Sequence, residues 1–128
     1  MAHFFPITVY YEDTDMGGIV YHANYLKYIE RARSAWVREK GIDQVTMRRD
    51  GSVFAVRRVE GDFLAPSRLD DALEVETAIE SASGARMVLC QVIRRGPRTL
   101  FRARVELVVI DHVTGGVRRM PPELRALG

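Results

Sequence analysis

The spacing of hydrophobic positions in this 128-residue chain changes once, from a helical period to a strand period. Between about residues 23 and 40, apolar residues recur at three- and four-residue intervals, as they do in an amphipathic helix. Gly41 follows Lys40 at a position where helices commonly end. The residues of this apolar face are Tyr25, Leu26, Tyr28, Ile29, Ala32, Trp36 and Val37. We therefore predict one long helix with a broad apolar face.

Beyond about residue 52, the pattern has a period of two and indicates strands. Segments 73–80 and 101–109 alternate between apolar and mostly polar positions, whereas 53–64 and 86–94 are strand-like but less regular. Turn-forming residues separate these four segments, and their spacing favours an antiparallel meander. A further strand is predicted at residues 7–11, with Pro6 at its start.

This order of elements predicts an α+β fold in which one long helix packs on a five-stranded antiparallel sheet. The chain is 47% hydrophobic and 28% charged, and its length fits a single domain over residues 1–128. Several strand segments are apolar on both faces, and one helix cannot cover both faces of a sheet. We therefore expect a homo-oligomer.

Composition argues against several classes of protein. A net charge of +2 is too mild to indicate nucleic-acid binding. The single cysteine, Cys90, cannot form an intrachain disulfide, and its apolar surroundings predict an inert core residue. The first residues lack the basic start and apolar stretch of a signal peptide, and no run approaches the roughly 18 apolar residues of a membrane span. We therefore expect a cytoplasmic location.

Residues suited to chemistry concentrate between the first strand and the helix. Residues 10–26 hold three carboxylates, two adjacent glycines and one histidine. An acidic segment that turns on glycine and leads into a helix can place a carboxylate beside free backbone N–H groups. Carbonyl chemistry needs such a pair, one group to attack or activate a nucleophile and another to hold the oxyanion. No Gly-x-Ser-x-Gly nucleophile elbow occurs in the chain.

The stretch from Tyr10 to Tyr25, YYEDTDxGGxVYHxxY, resembles the opening motif of the hot-dog-fold acyl-CoA thioesterases. Within that family it is similar to the 4-hydroxybenzoyl-CoA thioesterase-like group, in particular to the YbgC-type branch associated with the Tol-Pal envelope system. The similarity covers about residues 6–121. It implies a helix wrapped in a curved antiparallel sheet, dimers that pair their sheets edge to edge and often form tetramers, and acyl-CoA bound at the subunit interface.

The resemblance also implies roles for individual residues. The key carboxylate of the family matches Asp15, and its oxyanion-binding backbone N–H matches His22. The sequence leaves open whether Asp15 attacks the thioester or activates water. Gly17 and Gly18 would allow substrate to approach the main chain closely. Asp13 is expected to bond the backbone of the turn.

The remaining candidates would bind substrate. Tyr21 and Tyr25 are expected to line the acyl pocket or the core, and Glu30 to pair with a nearby arginine or to line the partner subunit's site. Arginine suits the phosphates of coenzyme A. The candidate arginines are Arg57, Arg58, Arg68, Arg94 and Arg95.

The resemblance implies an enzyme that hydrolyses acyl-CoA to free acid and CoA. It implies no metal or redox cofactor, since coenzyme A is part of the substrate. Two alternatives on the same fold are a non-catalytic acyl-CoA or acyl-carrier binding module and a dehydratase or hydratase. The intact Asp15 argues against the module, and the motif does not resemble the dehydratase branch. Acyl carrier protein and peripheral association with the inner membrane are left open.

Overall fold

The computed structural model describes residues 2–127 and contains the helix predicted from the sequence. Helix α1 spans Asn24–Glu39. Lys40 caps its last turn, and Gly41 follows with a φ of 87°, the left-handed conformation that stops a helix. The predicted apolar face is buried except at Leu26, which is 43% exposed. No helix within residues 2–127 has the length and hydrophobicity to cross a membrane.

The described residues form an antiparallel sheet that contains the five predicted strands and a short sixth. The strands are β1 His3–Thr8, β2 Ser52–Phe63, β3 Ala72–Ala82, β4 Arg86–Arg95, β5 Arg98–Asp111 and β6 Val117–Arg118. Strand β1 lies earlier than predicted, because Tyr11–Asp13 forms a turn of 3-10 helix. Pro6 is therefore inside β1, where an edge strand tolerates its missing N–H.

The predicted meander is correct for β3, β4 and β5 but wrong for β2. The sheet order is β1-β3-β4-β5-β2, so β2 pairs with β5 and forms the far edge. The link of residues 64–71 explains this order. Its start is held at β5, where the Leu64 and Ala65 N–H groups donate to the Leu100 carbonyl at 2.8 and 3.1 Å. Its end is held beside β1, where the Asp70 N–H donates to the Val9 carbonyl at 2.9 Å. The link thus crosses between the two sides of the sheet.

Two short helices, α2 (Gln44–Arg49) and α3 (Pro122–Arg125), were not predicted. Helix α2 follows Asp43, whose carboxylate accepts hydrogen bonds from Val45 N at 3.0 Å and Thr46 Oγ1 at 3.1 Å. The bond from Val45, followed by that from Thr46, holds the pKa of Asp43 below its usual range. Aspartate is a preferred residue at the start of a helix, so the sequence did contain this signal.

Helix α1 packs on one face of the sheet, and the hydrophobic core lies between them. Gln91 of β4 is the polar exception, since it is fully buried beneath the helix. Its amide donates to the Ile29 carbonyl and to Thr77 Oγ1, both at 2.9 Å, and its Oε1 accepts from Arg33 at 3.0 Å. Because each of these groups has a partner, the buried amide joins helix to sheet without an unsatisfied polar atom.

The opposite face of the sheet is charged. Ion pairs connect neighbouring strands on this face, namely Arg104–Glu80 at 2.6 Å, Arg86–Glu106 at 2.7 Å and Arg94–Glu76 at 2.5 Å. Cys90 lies here and not in the core, so its predicted location is wrong. Its thiol is half-buried and donates to Glu80 at 3.5 Å. Burial, and then Glu80, raise the pKa of the Cys90 thiol.

Gly61 of β2 makes room for a core aromatic ring, and we predict that Gly61→Ala destabilises the protein. An added Cβ would lie 2.9 Å from two ring atoms of Phe101. That ring is fully buried against Tyr25 and Phe63, with centroids 5.4 and 4.8 Å away. Overpacking of this kind costs about 1–3 kcal/mol. Thermal unfolding followed by circular dichroism should show Tm falling by roughly 4 °C per kcal/mol.

Gly84→Ala is the matched control. Its added Cβ would lie 3.7 Å from Arg119 Nη2, an ordinary contact, and its φ is not in the left-handed region. Its free energy of unfolding should stay within about 0.5 kcal/mol of the wild type. Equal Tm values for the two variants would contradict the prediction.

Candidate active site

Asp15 lies in a closed loop between β1 and α1. Its N–H donates to the Ile19 carbonyl at 2.9 Å, and its own carbonyl accepts from the Gly18 N–H at 3.0 Å. Thr14 and Val20 form an antiparallel bridge at the base of the loop. These backbone bonds fix the loop independently of the Asp15 side chain, which is exposed.

The two glycines of the loop have different roles. The Gly17 N–H donates to Asp15 Oδ1 at 2.8 Å, and a Cβ at Gly17 would lie 3.2 Å from that oxygen. Gly18 has a φ of 76°, which the turn requires. Gly17 therefore admits the carboxylate itself, and Gly18 forms the turn. Within residues 2–127, Asp15 Oδ2 has no hydrogen-bond partner, so one carboxylate oxygen is anchored and the other is available.

Asp13 ties this loop to the start of α1. Its carboxylate is buried and accepts the Tyr10 N–H at 2.9 Å, which agrees with the turn role predicted for it. Its carbonyl accepts both the Tyr21 N–H at 2.9 Å and the Asn24 side-chain amide at 2.8 Å. His22 lies between these two attachment points. We call these bonds of Asp13 to Tyr10, Tyr21 and Asn24 the Asp13 clamp.

His22 precedes the first residue of α1 by two positions. Its backbone N–H makes no backbone hydrogen bond within residues 2–127. The positive end of the helix dipole favours developing negative charge at this place. The His22 imidazole is exposed, 4.7 Å from the Tyr21 ring and edge-on to Phe63 at 5.8 Å between centroids. The predicted oxyanion donor is therefore placed at a helix start, and its role stays a prediction.

Aromatic side chains lie beside His22. Tyr21 and Phe63 are 47% and 53% exposed, whereas Tyr25 is 3% exposed and stacks on Phe101 at 5.4 Å. Of the two tyrosines predicted to line the pocket or the core, Tyr25 thus belongs to the core and Tyr21 to the surface beside His22. Phe63 was not a candidate, because only the pairing of β2 with β5 brings the end of β2 to this place.

Ser67, in the link of residues 64–71, is a second residue that sequence reasoning missed. Its hydroxyl is buried and hydrogen-bonds to the Tyr25 hydroxyl at 2.7 Å. Its carbonyl accepts the Val20 N–H at 2.8 Å. A serine beside a proline is an ordinary loop residue, so the sequence carried no signal for this position. Ser67 connects the link both to α1 and to the loop of Asp15.

Tyr28 lies one helical turn after Tyr25 on α1, and its side chain faces the same buried region as Asp13. Burial raises the pKa of the Tyr28 phenol far above its usual value, and Asp13 raises it further. Tyr28 therefore stays a neutral phenol throughout the physiological pH range, and its full burial makes it a core residue.

Glu30 lies further along α1 and outside this cluster. Its exposed carboxylate accepts from Ser34 Oγ. The expected ion pair with a nearby arginine is wrong for the described chain, since none of its arginines lies within 4.0 Å of Glu30. The physical reason is that Arg33 points toward the sheet and donates to Gln91.

The candidate arginines are dispersed. Arg57 and Arg58 lie on the edge strand β2, both more than 60% exposed, at 3.6 Å from Glu106 and 3.3 Å from Glu60. Such exposed pairs contribute little to stability, so both guanidinium groups are available to a ligand. Arg57 is the extra residue of a β-bulge, since Val56 and Arg58 pair with consecutive residues of β5.

Arg68 lies in the link itself, whereas Arg94 and Arg95 lie at the end of β4, where Arg95 bonds the link at Pro66 and Asp71. Arg94 pairs with Glu76, and Arg95 pairs with Asp71 at 2.9 Å. Arg68 is exposed and makes no ion pair within residues 2–127. Across residues 2–127 as a whole, no group of three or more His, Cys, Asp or Glu side chains is arranged to hold a metal ion.

Comparison with known proteins places this geometry in a family. Residues 9–127 match the family model of the thioesterase-like superfamily. The chain belongs to this superfamily. Acyl-CoA thioester hydrolase YbgC of Escherichia coli O6:H1 is 39% identical over 122 residues, which cover 94% of this chain and 91% of that protein. Acyl-CoA thioesterase YbgC of Haemophilus influenzae is 39% identical over 108 residues, or 84% of this chain and 79% of that protein.

Solved structures of thioesterases have the same fold as this superfamily member. A probable thioesterase from Bartonella henselae superimposes with a TM-score of 0.85 at 38% identity, covering 94% of this chain and 98% of that one. The 1,4-dihydroxy-2-naphthoyl-CoA thioesterase Slr0204 from Synechocystis gives a TM-score of 0.90 at 23% identity, covering 99% and 95%. At that identity the second likeness concerns the fold alone. The hot-dog fold and the family resemblance are confirmed.

We predict that Ser67→Ala destabilises the protein, because it leaves the buried Tyr25 hydroxyl without its partner. An unsatisfied buried hydroxyl costs about 1–3 kcal/mol. Tyr25→Phe removes the other partner of the same bond, so the double variant should cost less than the sum of the two single variants. Equilibrium unfolding in urea measures all three.

Ser81→Ala, at an exposed position of β3, is the control and should change the free energy of unfolding by less than about 0.5 kcal/mol. Strict additivity of Ser67→Ala and Tyr25→Phe would show that the two hydroxyls are not coupled.

Proposed function

We propose that this protein hydrolyses an acyl-CoA thioester to a free acid and coenzyme A, with Asp15 and the His22 N–H as its catalytic groups. The observation that carries the proposal is the Asp15 carboxylate, which has one oxygen anchored by Gly17 and the other available. The Asp13 clamp holds its loop to the helix start that presents the His22 N–H. The two YbgC relatives, named as an acyl-CoA thioester hydrolase and an acyl-CoA thioesterase, support the substrate class.

In the proposed mechanism, the His22 N–H donates to the thioester carbonyl oxygen. The dipole of α1 then stabilises the negative charge that develops on this oxygen as the carbonyl carbon becomes tetrahedral. Because the donor belongs to the backbone at a fixed helix start, it needs little reorganisation during the reaction. The thiolate of CoA leaves without needing a strong general acid, since a thiol is far more acidic than an alcohol.

Asp15 can supply the nucleophile in two ways. Its free oxygen can attack the carbonyl carbon, expel the CoA thiolate and form a mixed anhydride that water then cleaves. Alternatively, it can take a proton from a water molecule that attacks the same carbon, which yields the acid and the thiolate in one sequence. Neither route requires a metal or a redox cofactor.

We further propose that the acyl chain lies against Tyr21 and Phe63, the exposed aromatic rings that contact His22. Arg57, Arg58 and Arg68 are the proposed contacts of the CoA phosphates, since all three side chains are exposed. A cytoplasmic location and partners such as acyl carrier protein, the inner membrane or the Tol-Pal system stay predictions from the family resemblance.

The proposed assembly is a homo-oligomer, either a dimer or a dimer of dimers. Among the residues that the structure describes, strand β2 ends the sheet with an unpaired edge, and its apolar residues Val56, Val59 and Phe63 are 47%, 39% and 53% exposed on the face that elsewhere packs against α1. Pairing β2 with a second copy would satisfy that edge and cover these side chains. Because Phe63 adjoins His22, the same pairing would complete the wall of the site.

Asp15→Asn is expected to lower kcat by at least about 100-fold, because the amide can neither attack nor accept a proton. Its side-chain oxygen can still accept the Gly17 N–H, so the loop should keep its shape. The measurement is release of free thiol from a panel of short, aromatic and long acyl-CoA esters. Glu12→Gln is the matched control, since Glu12 is an exposed carboxylate on the same segment.

Unchanged turnover in a folded Asp15→Asn variant would overturn the role of Asp15. If the wild type binds the whole panel without hydrolysing any ester, the protein is a binding module and the proposed activity is wrong.

A further inference from the structure

The first turn of α1 has no capping side chain, although helix starts commonly have one. Ala23, the residue before the helix, carries only a methyl group, and Tyr21 and His22 are not residue types that usually cap a helix. Helix α2 shows the ordinary arrangement, since the Asp43 carboxylate accepts the Val45 N–H at 3.0 Å. At the start of α1, the backbone N–H groups are therefore satisfied by other groups or left free.

The N–H groups of this turn divide into bound and free ones. The Tyr21 N–H donates to the Asp13 carbonyl at 2.9 Å, and the Asn24 N–H donates to the Tyr21 carbonyl at 2.8 Å. Between them, the N–H groups of His22 and Ala23 make no backbone hydrogen bond within residues 2–127, and no side chain of this range caps the helix. Two consecutive donors are thus free at the helix start.

Two side chains of this region belong to residue types that cap helices, but both are bound elsewhere. The Asn24 amide donates to the Asp13 carbonyl at 2.8 Å. The Asp13 carboxylate accepts the Tyr10 N–H at 2.9 Å. The Asp13 clamp therefore does more than hold the loop to the helix, because it also leaves both free donors open to an acceptor from outside the chain.

The backbone conformation of Ala23 allows one acceptor to meet both donors. Its φ of −64° and ψ of −22° are helical values. In a helical backbone the first N–H groups point out of the helix start in nearly the same direction, so one oxygen in front of the helix can accept from two neighbouring donors. The positive end of the helix dipole acts on the same oxygen.

A second donor has its largest effect in the transition state. When the thioester carbon becomes tetrahedral, its oxygen gains negative charge and an additional lone pair, so it becomes a stronger acceptor than the carbonyl of the bound substrate. Only interactions that strengthen in the transition state accelerate the chemical step. A second hydrogen bond is therefore expected to raise kcat and to change substrate affinity little.

We propose that the Ala23 N–H is a second oxyanion donor, so that the thioester oxygen accepts from both His22 and Ala23. The inference rests on the proposed function, because it assigns a further catalytic group to the same reaction. It concerns a residue whose methyl side chain carries no chemistry, so only the hydrogen bonding of the backbone could reveal it.

Ala23→Pro tests this donor, because proline has no N–H. The φ of Ala23 already lies in the range that the proline ring imposes, and the N–H that is removed makes no backbone hydrogen bond within the described chain. We expect kcat for acyl-CoA hydrolysis to fall about 100-fold, a loss typical of one oxyanion donor, with little change in KM. Release of free thiol at varied substrate concentration gives both constants.

Gln44→Pro is the matched control. Gln44 is the exposed first residue of α2, and its N–H makes no backbone hydrogen bond within residues 2–127. The extended backbone of Asp43 suits a following proline, and the position lies outside the candidate site. The kcat of this variant should equal that of the wild type.

Proline also restricts the residue before it, so Ala23→Pro could displace His22. Replacement of Ala23 by L-lactic acid avoids this effect, since it exchanges the N–H for an ester oxygen and keeps the methyl group. The same direction of change in kcat is expected for it. Thermal unfolding followed by circular dichroism shows whether each variant is folded, and the lactic-acid variant decides the question alone if Ala23→Pro is not.

Unchanged kcat in either folded variant, a loss that appears only as a raised KM, or an equal loss in Gln44→Pro would each overturn the inference. In these cases an active wild type leaves the proposed function and the role of Asp15 standing. A wild type that hydrolyses no ester of the panel would overturn the proposed function and this inference together.

Discussion

Burial of the apolar face of α1 against the sheet is the interaction on which the rest of the molecule depends. Tyr28, Ile29 and Trp36 are each at most 2% exposed. Burying a large apolar side chain contributes about 1.5–3 kcal/mol, so these residues together fix where the helix lies. Gln91 then fixes the helix further through its hydrogen bond to the Ile29 carbonyl. Because α1 cannot shift, its N-terminus is a fixed reference point for the chemistry beside it.

The candidate site is held mainly by backbone groups. The loop of Asp15 closes on itself through main-chain hydrogen bonds, and the Asp13 carbonyl accepts from both Tyr21 and Asn24. Ser67 connects the same loop and helix to the link of residues 64–71. Side-chain substitution at Asp15 therefore changes the chemistry without removing the supports. Such preorganised donors act on developing charge with little reorganisation.

One edge of the sheet is exposed in the described chain. Within residues 2–127, strand β2 has an unpaired edge, and its apolar residues Val56, Val59 and Phe63 are exposed. An exposed strand edge is a pairing hazard that proteins commonly cover or block with charge and bulges. The bulge at Arg57 restricts which strand can pair with β2. The edge and these apolar residues lie on one surface, and this surface adjoins His22 through Phe63.

The sequence by itself determined the features that depend on neighbouring residues. The helical period located α1, alternation located the strands, and the resemblance of residues 10–25 to the thioesterase motif identified Asp15 and His22 as the candidate catalytic groups. Tertiary structure alone decided what depends on strand order and on the choice of face. Strand β4 is apolar at both alternate sets of positions, so its pattern could not place Cys90 on the charged face. Only the pairing of β2 with β5 brings Phe63 to His22, and only the packing of α1 brings Arg33 to Gln91. Local pattern carries no information on such contacts, because they join residues far apart in the chain.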